Sequence, residues 1–114
     1  MTIIEKLEEI NQKVQAYVWS KNIIAYFPLQ KNIKEFEHVI SGIGTPNIEL
    51  KEHINTEVLS LLRNTRKKLL SHPDVTTNKD YAVKSAKEAV DGALYSLRKG
   101  CEAHGEGNVL LQEV

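Results

Sequence analysis

The sequence predicts an all-α fold: a single-domain antiparallel four-helix bundle over residues 1–104, with a short flexible tail over 105–114. Three observations predict it. Apolar residues recur at alternating steps of four and three, as in Ile3, Leu7, Ile10, Val14, Tyr17 and again in Leu29, Ile33, Phe36, Ile40, Ile43. That spacing lines one face of a helix. Pro28, Pro46 and Pro73 fall at the ends of the striped stretches. The connections between stripes are short, which favours antiparallel neighbours.

The first helix starts at Thr2, whose hydroxyl can cap it, with Glu5 three residues on as in a capping box. It runs at least to Ser20 and, on the longest reading, to Phe27. Pro28 has no backbone N–H and biases Phe27 away from helical angles, so residues 27–28 read as a break or kink. One alternative makes residues 17–27 a hairpin. Tyr17-Val18-Trp19 and Ile23-Ile24-Ala25-Tyr26-Phe27 are rich in β-formers around Ser20-Lys21-Asn22.

The second helix covers 28–41 and ends at Ser41-Gly42-Ile43-Gly44, where glycine takes left-handed angles readily. Thr45 as cap and Pro46 at the first position open the third helix. Its apolar face is Ile54, Val58, Leu61, Leu62 and Leu69, and Pro73 stops it near Ser71 or His72. After a turn over 73–78, the fourth helix runs from Lys79 to Lys99, capped by Thr77 or Asn78. Its stripe is Val83, Ala86, Val90, Ala93, Leu94, Leu97, Cys101, with Gly100 as C-cap. The tail is glycine-rich at 105–107, and Val109-Leu110-Leu111 is suited to dock on the bundle or on a partner.

Composition narrows the function classes. Fifteen basic residues balance fifteen acidic ones, so no global field draws the chain to nucleic acid or an anionic membrane. One cysteine excludes an internal disulfide and fits a reducing compartment. Met1–Glu5 lacks the features of a signal peptide, and no stretch approaches the ~20 apolar residues of a membrane helix. The expectation is a cytoplasmic protein whose partner is itself, as a homodimer, or another protein.

Trp19, Ile23, Tyr26 and Phe27 are the expected contact surface. Tyr17, Trp19, Tyr26 and Phe27 are four of the seven aromatics. If the first helix continues, Trp19, Ile23 and Tyr26 form a second stripe, and aromatics are enriched at interface centres. Arg63, Arg66, Lys67 and Lys68 form the one basic cluster, a candidate anion contact at a helix end where cations are favoured.

No metal site or cofactor is expected. Among His38, His53, His72 and His104, only Glu35 and His38 show Glu-x-x-His spacing, and a di-iron bundle needs two such pairs plus further Glu. Cys101 continues the apolar stripe from Leu97 and reads as a core residue.

Arg98 and His104 are separated by five residues, as are Arg66 and His72. This resembles the Arg-x(4–6)-His motif of HEPN-type ribonucleases. The resemblance implies a dimer cleft in which Arg98 steadies phosphate charge and His104 moves protons. The architecture is also similar in size to bacteriocin immunity proteins, small antiparallel four-helix bundles with a tail after the last helix. No Gly-rich phosphate loop, Gly-x-Ser-x-Gly or Cys-x-x-Cys is present. The main expectation is therefore a non-enzymatic binding or regulatory module, with the nuclease and the immunity-like bundle as alternatives.

Overall fold

The computed structural model describes residues 1–19, 26–71 and 78–114, and the side chains of Trp19, Tyr26 and Phe27 lie outside that description. Among the described residues the fold is an all-α helical bundle; the one extended feature is an isolated bridge between Thr2 and Glu113.

Helix α1 (Ile3–Trp19) carries the capping box read from the sequence. The Glu5 amide donates to the Thr2 hydroxyl at 3.2 Å, and the Thr2 amide donates to the Glu5 carboxylate at 3.0 Å. Its stripe, Ile3, Leu7, Ile10 and Val14, is buried, and Tyr17 packs half-buried against the core. Helix α2 (Tyr26–Ser41) begins two residues before Pro28. Proline sits in its first turn, where backbone N–H groups lack intrahelical acceptors and nothing is lost. The hairpin alternative fails where it is visible, because 17–19 and 26–27 are helical; residues 20–25 lie outside the description.

Helix α3 (Ile48–His53) is capped by Asn47, two residues later than expected. The Asn47 side-chain Oδ1 accepts from the Leu50 amide at 3.0 Å, while Thr45 is buried and its hydroxyl accepts from the Asn47 amide at 3.1 Å. The asparagine is therefore the cap, and Thr45 shapes the turn before it. A π-helical segment (Ile54–Leu59) then joins α3 to α4 (Ser60–Ser71) without interrupting the rod.

Helix α5 (Lys79–Ala103) starts on the Asn78 cap and touches α1, α2, α3, the π segment, α4 and the C-terminal turn. It does not end at Gly100, which is buried inside the helix. The stop is Gly105, whose φ of 67° is the one positive φ among the described residues. The Glu106 amide donates to the Cys101 carbonyl and the Gly105 amide to the Glu102 carbonyl, the Schellman pattern. Gly42 by contrast closes α2 without a left-handed angle, its amide shared between the His38 and Val39 carbonyls.

The tail docks. A 3₁₀ turn (Gly107–Leu111) buries Val109 and Leu110 in the core. The Ile3 amide donates to the Gln112 carbonyl at 2.8 Å, and the Gln112 side chain spans the Gly44 amide and carbonyl.

Candidate functional site

Of the expected contact surface, Ile23 and the side chains of Trp19, Tyr26 and Phe27 lie outside the described residues. Their described neighbour is Val18, 45% exposed at the end of α1. It lines a cleft of about 300 Å³ with Val83 and the charged residues Asp80, Lys84, Lys87 and Glu88 of α5.

Arg98 and His104 do not converge. Six residues along an α-helix turn the side chain by about 240°. Arg98 pairs with Glu8 of α1, and His104 Nδ1 lies 3.6 Å from Glu49 of α3. The remaining described histidines, His38 and His53, do not join them. His38 is exposed, and its spacing partner Glu35 lies 3.3 Å from Lys6 of α1. His72 lies outside the description. No group of three His, Cys, Asp or Glu capable of holding a metal occurs among the described residues.

His53 is built into the helix packing. Its Nε2–H donates to the Ser96 carbonyl of α5 at 2.9 Å, with the Ser96 hydroxyl at 3.2 Å. The ring fills the space that a side chain at Gly100 would need. Cys101 is 1% exposed, and burial pushes its thiol above the usual range, which suppresses thiolate chemistry.

The basic cluster divides. Arg63 and Arg66 both reach Glu37 of α2, whose carboxylate is buried. Arg66 Nε stands 2.7 Å from Glu37 Oε2, yet out of line for a hydrogen bond; the contact is an ion pair, backed by Arg66 Nη2 donating to Oε1 at 3.4 Å. Lys68 donates to the Tyr81 hydroxyl and lies 4.9 Å from the ring centroid. Lys67 is exposed. Glu37 escaped the sequence reading although its signal was present: it stands four residues from Ile33 and three from Ile40, inside the apolar stripe.

Two clefts flank this cluster on the seam between α2 and α4. One, of about 330 Å³, is lined by Gln30, Lys31, Lys34, Arg66 and Leu70. The other, of about 360 Å³, has Ile40, Ile43, Ile54 and Leu59 as apolar walls and Lys51, Asn55, Ser41 and Arg63 as polar ones. The π segment helps to build the second. In an uninterrupted α-helix, twelve residues would set Lys51 and Arg63 about 120° apart. The wider π turn absorbs about one residue and brings both to one cleft.

Compared with models of known families, with characterised proteins and with solved structures, the chain matches none.

Proposed function

We propose that the chain is a non-enzymatic protein-binding or regulatory module that acts as a homodimer through the segment bearing Trp19, Ile23, Tyr26 and Phe27. One observation carries the preference for binding over catalysis. Side chains suited to acid–base or phosphate chemistry face carboxylates of the same chain on different helices: Arg98 pairs with Glu8, Arg63 and Arg66 pair with Glu37, and His104 stands 3.6 Å from Glu49. Groups that face separate carboxylates on different helices do not converge on one reacting centre. Half-exposed Val18 beside the aromatic segment supports the choice of surface. The proposal sets the module in the cytoplasm, where a lone cysteine stays reduced. No helix among the described residues is long and apolar enough to cross a membrane.

Light scattering tests this reading. Wild type is expected at twice the chain mass, and Trp19→Ala as a folded monomer with unchanged helicity. A monomeric wild type overturns the homodimer. An RNA assay addresses the HEPN-like alternative: chelator-resistant cleavage abolished by Arg98→Ala and by His104→Ala would replace the binding module with a nuclease.

A further inference from the structure

We propose that the seam between α2 and α4 is a docking groove for an acidic, amphipathic helical segment of a partner protein. The inference does not depend on the homodimer, since it rests on other residues. The chain is neutral overall, but this strip is not. Lys31, Lys34 and Arg66 line one cleft, Lys51 and Arg63 the other, and neither lining contains an Asp or Glu among the described residues. Glu37, between the clefts, offsets one positive charge of the Arg63–Arg66 pair and leaves the second uncompensated. Lys31, Lys34 and Lys51 have no ion-pair partner among the described residues.

A second observation points the same way. Gln30 Nε2 is buried at this seam with no hydrogen-bond acceptor. A buried amide donor without an acceptor costs free energy, which would be relieved if the side chain turned outward to donate to an incoming carboxylate. The strip is also apolar in places: Leu70 is 61% exposed in the first cleft, and Ile43 is half-buried in the second. The occupant must therefore carry apolar side chains as well as acids.

Shape selects among anions. Two clefts on either side of Glu37 call for an elongated occupant rather than one small ion. The α4 rod and the π segment offer about 25 Å of length, room for some four turns of helix. Single-stranded RNA is disfavoured because, among the described residues, no aromatic side chain lines either cleft for bases to stack on. An amphipathic helix laid in a groove, with its acids toward the lysines, satisfies charge and apolar surface together.

The test uses three labelled probes on the full chain: a four-turn helical peptide with Glu and Leu on adjoining faces, the same peptide with Gln for Glu, and an oligouridylate. Fluorescence anisotropy is expected to show the Glu peptide binding about tenfold more tightly than the Gln peptide, with affinity falling as salt rises. Amide shifts should map to residues 30–43 and 51–70. The charge reversal Lys34→Glu/Lys51→Glu should weaken binding by a similar factor. Both residues are exposed or on the cleft rim, and circular dichroism checks the fold; Lys34→Gln/Lys51→Gln takes their place if helicity is lost. The proposal is overturned if the Glu peptide fails to bind, if it binds no better than its Gln counterpart, if charge reversal changes nothing, or if the shifts map elsewhere. Binding of the oligouridylate in its stead would reassign the seam to nucleic acid.

Discussion

Gly92 and Gly100 both lie in α5 and both take a side chain from the rod opposite, but a methyl group added at each meets a different obstacle. At Gly92 it would approach the Leu61 Cδ2 methyl at 3.2 Å. Leu61 is a flexible side chain 37% exposed, so it can yield. At Gly100 the methyl would collide with the His53 ring, 2.7 Å from Nε2, and that ring is fixed by its bond to the Ser96 carbonyl. Alanine is the better helix former by about 1 kcal/mol at both positions. Gly92→Ala is therefore expected to change stability by less than about 1 kcal/mol, of either sign. Gly100→Ala is expected to lose about 1–3 kcal/mol, because overpacking and a broken, partly buried hydrogen bond outweigh propensity. Urea unfolding of the two variants checks the contrast; equal effects would mean that the His53 ring is not the obstacle. Glu5 provides a pH-dependent case. Its hydrogen bonds with the Thr2 backbone and hydroxyl hold the carboxyl below its ordinary range. A group with a lowered folded value stabilises above the unfolded value and loses that contribution as pH falls through the folded one. The melting-temperature gap between wild type and Glu5→Ala should exist at neutral pH and close as pH drops through about 4 and below.

At the level of elements, the helices were legible wherever a stripe and a cap agreed. Thr2 with Glu5 fixed the start of α1, and Asn78 fixed that of α5. Ends were less legible, because a glycine in the sequence does not say which glycine turns left-handed. Gly100 was the expected stop, but the space it leaves is taken by His53, a residue 47 positions earlier. Such a contact has no local signature. The π segment had one that was missed. Leu50, Ile54, Val58 and Leu62 are all buried and step by four three times in succession. In a pure α-helix, that run drifts about 120° around the axis. Only a wider turn keeps all four on the core. Deleting exposed Asn55 from the segment should let it close into α-helix with both flanking faces still in phase. Deleting exposed Asn64 from α4 should rotate everything after it by about 100° and take Thr65 and Leu69 off the core. Thermal melts followed by circular dichroism are expected to show a cooperative transition for the first and its loss for the second.

For the molecule as a whole, the bundle was visible in periodicity, but the sites were not. A stripe reports which face is buried, and not which charges on neighbouring helices will meet. Glu37 with Arg63 and Arg66, and the cationic seam around them, exist only once α2 and α4 lie side by side. Arg98 and His104 show the reverse: only six positions apart in the chain, they face different helices in space. The docked tail has a kinetic consequence. Its pairing of residues 1–3 with 112–114 closes a loop nearly as long as the chain. The entropy of that closure, about 4 kcal/mol for a loop of this length, is offset only after the helices have shortened the path between the ends. The clasp should therefore form last in folding and open first in the native state. The Ile3 and Val114 amides would then exchange with solvent by a small local opening, while amides of the α5 interior wait for the whole bundle to come apart.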